Sequence, residues 1–427
     1  MIGTTSGYDT DCNVGNIGCI MGVKLGLDGI DAGPDWRGPV ADRMYLPSAD
    51  GGRVVTDAVR EADAVVCAAC ALNGEDCEAP KGRARYHFER PGSVQGFVPE
   101  DSPECRGTAR VENATGHSEK GTRSLAVHYS AVAPGRPARV GTATFLPPDR
   151  LETRGGYGLM ASPTLHPGQT LRGRLSLGDG AKGDVTCAVH VRAYSEDNEP
   201  RVFRGPVRDL APGADWEFEW TVEVPGGMTI MEVGVEVSSE GRADGTLHLD
   251  WLDWDGTPEV VLGPPECNST AWQRAWVDAA DRSTFRDEPL PYRVTQNEGR
   301  GMLIQGTREW SGYRAETSVR AHMADAVGLA ACVQGLRRYY ALLLHRGGRV
   351  ELVRVLDGET VLDSAEMDWQ FDMEYHLVMT VQDGTISCEV GGEARLEARD
   401  EALRSGAVGL VCEEGTAEFG PVTVAPG

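Results

Sequence analysis

The chain lacks any apolar run long enough to cross a membrane as a helix, which takes about 18 residues, so no membrane partner is expected. It is poor in positive charge. The 41 Lys and Arg are outnumbered by 65 Asp and Glu, a net −24 spread along the whole sequence. Such a surface repels phosphate backbones and excludes nucleic-acid binding by a basic face. The first 80 residues contain no histidine, which argues against a zinc site there. The opening Met1-Ile2-Gly3-Thr4-Thr5 has neither the basic start nor the apolar core of a signal peptide. The 11 cysteines are odd in number and have no metal-binding spacing. They read as reduced thiols, which points to the cytoplasm.

What is present concentrates first near the start, in Ser6-Gly7-Tyr8-Asp9-Thr10-Asp11-Cys12-Asn13. Two carboxylates one residue apart can turn toward one centre, and carboxylate oxygens suit Mg²⁺. The plainer reading is that Asp11 or Asn13 caps a helix. Gly15, Gly18, Gly22 and Gly26 then recur along one helical face. Each costs about 1 kcal/mol relative to alanine, which suggests close approach of another backbone or a ligand. After a loop from Asp28 to Gly52, Thr56 is placed to cap a second helix. Val59, Ala62, Val66, Ala69 and Leu72 form its apolar side, and Asn73-Gly74 stops it. Cys67 and Cys70 lie inside this helix and read as two small buried thiols, with a redox pair as the alternative.

The segment Gly7 to Asn73 resembles the C-terminal part of the ADP-ribosylglycohydrolase family. The resemblance rests on Gly7-Tyr8-Asp9-Thr10-Asp11-Cys12-Asn13-Val14-Gly15, on Gly18 to Gly26, and on Trp36-Arg37 and Asp42-Arg43. It implies an all-helical hydrolase with a binuclear Mg²⁺ site that cleaves an N- or O-glycosidic bond to ADP-ribose or a related ribosyl compound. Asp9 and Asp11 would be metal ligands; no catalytic residue is identified. The sequence departs from the family pattern at Tyr8, where glycine is usual, and at Cys12, where Thr or Ser adds a ligand. It also contains no Thr-Asp-Asp, the type of motif that completes the family's cation site. The expectation is therefore a C-terminal portion, inactive alone, whose other half is either lost or supplied by a separate chain. Ile17, Ile20, Met21 and Leu25 should then form an exposed apolar surface.

From residue 80 the pattern changes to short alternating strands punctuated by Gly, Pro and Asp, with Pro80-Lys81-Gly82 as a linker. The block from 85 to 262 resembles a galactose-binding-like jelly roll, on His87-Phe88-Glu89 and Leu247-His248-Leu249-Asp250-Trp251-Leu252-Asp253. That resemblance implies either a structural Ca²⁺ shared by Glu89 and Asp250 or ordinary surface carboxylates, the second being preferred because Ca²⁺ needs six or more oxygens. Trp216, Phe218 and Trp220 alternate on one strand face and are assigned to the core rather than to sugar stacking. The block from 266 to 427 resembles a concanavalin-like or laminin-G-like sandwich, on Tyr339-Tyr340, Val355 to Gly358, Trp369, Tyr375-His376 and Ser405 to Gly409. Glu389 and Glu393 flank Gly391-Gly392 and read as solvated hairpin residues rather than a glycosidase pair.

The fold expected is thus multidomain: a short all-α remnant (1–79) followed by two antiparallel β-sandwich domains (85–262 and 266–427). Two functions compete. One is the Mg²⁺-dependent hydrolase acting on an ADP-ribosylated or glycan substrate, with two appended binding modules. The other is a non-catalytic carbohydrate- or protein-binding β-sandwich protein.

Overall fold

The structure is a computed structural model that describes residues 7, 10–46, 48–77, 79–151 and 158–427. A short helical region is followed by β-sheet-rich domains. Period-two alternation builds the first of these from two five-stranded antiparallel sheets. Sheet A runs in the order Asp215–Thr221, Thr170–Leu177, Ala243–Asp255, Arg123–Val132, Ala109–Thr115. Sheet B runs Val98–Pro99, Ala138–Ala143, Ile230–Ser238, Val185–Tyr194, Pro200–Leu210. Leu125, Val127, Leu175 and Leu249 of sheet A meet Val140, Val189, Val191 and Val235 of sheet B in one core. Trp216 and Phe218 are buried in it, and Trp220 packs against its edge, so this aromatic stripe is core.

The second β-rich part is a fourteen-stranded antiparallel sheet that curls into a near-closed barrel. Its central path starts with Glu359–Glu366 and ends with Ala394–Arg399. These two end strands return to each other, where the Glu397 N–H donates to Asp363 Oδ2 at 2.9 Å. Trp276, Tyr292, Trp310, Tyr313 and Phe419 fill the inside. The tight turn joining Glu374–Gln382 to Thr385–Val390 needs positive φ at both central residues, and Asp383 (48°) and Gly384 (75°) provide it.

The helical region departs from the all-helical hydrolase fold. Helix α1 (Asp11–Asp31) kinks at Gly26 and buries none of its residues, and Ile17, Ile20, Met21 and Leu25 are exposed as expected. No described atom lies within 4 Å of where a Cβ would stand at Gly15 or Gly18, so the close approach expected there is not made by the described residues. A β-hairpin follows, Arg43–Tyr45 with Val55–Asp57. Helix α2 (Ala58–Asn73) is capped by Asp57 rather than Thr56, its carboxylate accepting from the N–H groups of Val59 and Arg60 at 2.9 and 3.0 Å. Gly74 ends it in the left-handed region (φ 72°). Only Val59 of α2 is buried, and Val66 and Leu72 are exposed. Stability here comes from the hairpin and caps, not from helix-on-helix packing.

A third apolar cluster joins everything. Val54 and Val55 insert between the two β-rich parts. They meet Phe145, Leu146, Tyr194 and Met231 on one side and Ile304, Ala330, Leu343 and Val353 on the other. The Tyr194 hydroxyl donates to the Leu146 carbonyl at 2.6 Å, so its polar end is satisfied in the apolar setting. Nearby, His166 meets Trp310 edge to face, with centroids 4.8 Å apart. Burial lowers the His166 pKa to about 3.

That burial has a pH consequence. A histidine titrating near 6.5 when unfolded binds its proton there first, so stability falls as pH drops below about 6.5 and keeps falling toward the folded value. Urea denaturation at pH 7 and pH 5 should show wild type losing about 2 kcal/mol more than His166→Leu between the two conditions. Equal losses would show that His166 is protonated in the fold.

Candidate functional site

Asp9, the first carboxylate of the expected cation pair, lies outside the described residues, as does Tyr8. Asp11 opens α1, and its Oδ1 accepts from the Cys12 N–H at 3.0 Å. Among the described residues no group of three or more His, Cys, Asp or Glu converges as a metal site requires. The Mg²⁺ expectation is corrected accordingly. The ADP-ribosylglycohydrolase function is corrected with it, because the chain is mostly β-sheet and its few helices form no bundle. Arg37 and Asp42, two carriers of that resemblance, have a structural role. Arg37 Nε and Nη2 donate to the two Asp42 carboxylate oxygens at 3.2 and 3.1 Å, and Nη1 donates to the Pro91 carbonyl at 3.0 Å. The motif thus ties the helical region to the first β-rich part.

The cysteine reading is corrected as well. Cys67 is disulfide-bonded to Cys77, which the sequence placed among reduced thiols, and Cys70 is left half-buried and free. Disulfides persist in oxidising compartments, so the cytoplasmic assignment loses its premise and is withdrawn.

Glu89 and Asp250 do come together, but around a lysine. The wholly buried Lys81 ammonium lies 3.1 Å from Glu89 Oε1 and 2.7 Å from Asp250 Oδ1. It also donates to the carbonyls of Arg123 and Asp250 at 2.6 and 2.7 Å. The carboxylates are further held by Thr122, Ser118 and the Glu119 N–H, and Arg174 Nη1 donates to Asp250 Oδ2 at 3.2 Å. Burial alone would raise the pKa of both acids, yet these donors and Lys81 outweigh it and hold both below the ordinary carboxylate value. Neither bound Ca²⁺ nor solvated surface acids describes this cluster: an ammonium fills the oxygen cage. The sequence concealed it because Pro80-Lys81-Gly82 has linker composition. Lys81, Gly82 and Arg83 all take positive φ (46°, 72° and 72°), and this unusual backbone turns the lysine inward.

The most developed surface feature lies on the outward side of sheet B. Val185, Cys187, Val189 and Val191 face the core, so Thr186, Ala188, His190 and Arg192 face out. Neighbouring strands add Arg139, Glu232, Glu236, Ser238 and Arg204 on the same side. Gly234 must be glycine, since a Cβ would stand 2.2 Å from the Val140 carbonyl and 2.9 Å from the His190 ring. Glu236 is clamped between two guanidiniums. Arg204 Nε and Nη2 donate to it at 2.9 and 3.0 Å, and Arg139 Nε donates from the other side. Arg139 continues to Glu100 and Glu104 at 3.3 and 3.2 Å, and Arg192 holds Glu232 at 3.3 Å. Burial would raise the Glu236 pKa, but the Arg204 and Arg139 hydrogen bonds prevail and keep it below the ordinary value. An open cleft of about 590 Å³ runs along this side, lined by Pro137, Arg139, Thr186, Arg204, Glu236 and Ser238 among others. None of these residues carries a sequence motif; only their alternation with apolar neighbours marks them as outward.

Sheet A carries a smaller polar feature. His248 stacks on His117 with centroids 3.6 Å apart and accepts or donates a contact to Ser124 Oγ at 3.3 Å. Burial, with His117 and His128 beside it, lowers the His248 pKa to about 4.

Lys81 allows a direct test of the buried cage. Lys81→Met takes the ammonium from the partly buried Glu89 and leaves the buried Asp250 with Arg174 alone, so it should cost about 3 kcal/mol in urea denaturation at pH 7. In wild type the folded pKa values of Glu89 and Asp250 lie below the unfolded values near 4. Their stabilisation is therefore present above about pH 4 and lost as pH falls through the folded values. Acid should then narrow the gap between variant and wild type. A gap that stays constant from pH 7 to pH 3 would exclude this role for the ion pairs.

No family model matches this chain, and no curated protein matches it. Solved structures similar to it include the carbohydrate-binding module CBM66 from Bacillus subtilis (16% identity, 35% of this chain and 94% of that one, TM-score 0.31). Another is a xylan-binding domain from CBM 22 (19% identity, 41% and 96%, TM-score 0.29). A third is a protein of unknown function with a galectin-like fold from Bacillus subtilis (14% identity, 37% and 92%, TM-score 0.30). At these scores the likenesses add nothing to the strand pairings described above.

Proposed function

We propose that this chain is a non-catalytic binding protein that takes a carbohydrate in the outward cleft of sheet B. In this reading it consists of a helical lead-in (1–79), a jelly-roll-like sandwich (85–262) and a concanavalin-like sandwich (266–427). The carrying observation is the Arg139–Glu236–Arg204 clamp in an open cleft. Its groups are fixed by one another before any ligand arrives, so binding costs little side-chain ordering. Arg204 spends Nε and Nη2 on Glu236 and is about half exposed, which leaves Nη1 to donate to a ligand hydroxyl. Ser238 and Thr186 add hydroxyls on the same side. Fixed donors and acceptors beside apolar surface from Pro134, Pro137 and Val207 suit a polyhydroxylated ligand, which has both hydroxyls and C–H faces.

The same clamp argues against hydrolysis at this cleft. A glycosidase acid must hold its proton near neutral pH, which takes a raised pKa. Glu236 is pushed the other way, and two arginines keep it ionised.

A glycan array probed with the full chain, followed by calorimetry on the best oligosaccharide, tests the reading. Arg204→Ala should weaken binding about tenfold or more, equivalent to about 1.4 kcal/mol, with no new reducing ends released from the glycan. Absence of any glycan binding, or full affinity in Arg204→Ala, would refute it.

A further inference from the structure

We propose a second binding site, for the sulfate or phosphate ester group of an acidic ligand, on the hairpin formed by Arg282–Phe285 and the start of Tyr292–Gln305. In this hairpin Arg282 pairs with Thr295 and Thr284 with Arg293. Residues two apart share a face, so Arg282, Thr284 and Arg286 project on the same side as Arg293 and Thr295. These five side chains line one cleft of about 260 Å³.

The cleft brings three arginines together. With 65 acidic side chains for 41 basic ones, an arginine on this protein has carboxylates to spare. Yet among the described residues Arg282 and Arg293 have no carboxylate partner, and Arg286 reaches only Glu288, at 3.9 Å. The carboxylate opposite Arg293 in the sheet register is Glu418, and it is engaged elsewhere. Arg320 Nη1 and His322 Nε2 hold it at 3.7 and 3.2 Å. Three guanidiniums sharing a cleft repel one another, and a bound anion relieves that repulsion.

Hydrogen bonding points the same way. Thr284 Oγ1 is buried in the site and has no partner among the described residues. Thr295 Oγ1 has only Thr416 Oγ1, at 3.1 Å. An oxyanion would accept from the Thr284 hydroxyl and from the guanidinium forks, whose geometry matches tetrahedral oxyanions in a bidentate way. The site faces outward on the second β-rich part and uses none of the residues of the sheet B cleft, so it stands apart from the carbohydrate reading.

Calorimetric titration of the full chain with inorganic sulfate and with inorganic phosphate at low salt tests the proposal. Wild type should bind at least one of them with a Kd on the order of 1 mM, more weakly as NaCl is raised. The Arg282→Ala/Arg293→Ala double variant should lose about tenfold or more of that affinity, equivalent to about 1.4 kcal/mol. Arg395→Ala, an exposed arginine on another hairpin, should leave it unchanged. Arg282→Lys/Arg293→Lys keeps the charge but not the fork, guards against misfolding of the alanine variant, and should bind several-fold more weakly. A sulfated or a phosphorylated monosaccharide binding more tightly than its free anion would identify which ester the site takes. Failure of both inorganic anions to bind wild type, or wild-type affinity in either double variant, would overturn the proposal. The test uses no neutral glycan, so its outcome is separate from that of the sheet B cleft.

Discussion

One closed apolar contact joins the two β-rich parts, and both clefts lie outside it. Where Val54 and Val55 insert between the β-rich parts, the outward side of sheet B is dry at its Tyr194 and Met231 end. The barrel sheet is dry at Ile304, Leu343 and Val353 for the same reason. Away from that contact each outward side carries polar side chains. On sheet B these are Thr186, Glu236 and Ser238; on the strand Tyr292–Gln305 they are Arg293 and Thr295. Burying one end of a sheet face leaves polar side chains to meet a ligand elsewhere on it. It also makes the two β-rich parts one mechanical unit, since core residues pack close to the density of organic crystals and transmit strain.

Charge is organised on that frame by pairing rather than by dispersal. The excess of carboxylates is neutralised locally: Glu236 by Arg139 and Arg204, Glu232 by Arg192, Glu89 and Asp250 by Lys81. The lysine cluster shows how far this goes. Buried acids are costly unless paired and hydrogen-bonded, and here the Lys81 ammonium bridges both acids while Arg174 also reaches Asp250. The arginines at 282 and 293 lie outside this pairing, as do Arg136, Arg201 and Arg208, but they share one cleft with Arg286.

The resemblance at the start of the chain failed for a structural reason. Asp-x-Asp followed by spaced glycines is compatible with a metal-bearing helix, but such a site needs further ligands from packed neighbours. Helix α1 packs on nothing that buries it, and Arg37 and Asp42 hold each other instead of a substrate or cation. The cysteine spacing misled in a similar way: it suggests two small buried thiols, whereas Cys67 bonds across the end of α2 to Cys77 and Cys70 is half-buried.

Part of the local patterning was legible. Alternation marked both stretches as β-rich, Trp216 and Phe218 were placed in the core, and Asn73-Gly74 marked the end of α2, though not its Asp57 cap. These features depend on neighbours along the chain, through side-chain periodicity and backbone φ, and the sequence alone determines them. Glu89 meeting Asp250 and Lys81, or Arg139 meeting Arg204 across Glu236, depends on strands far apart in sequence becoming neighbours. Only the tertiary structure decides that, because register and sheet order bring together residues whose separation along the chain carries no signal.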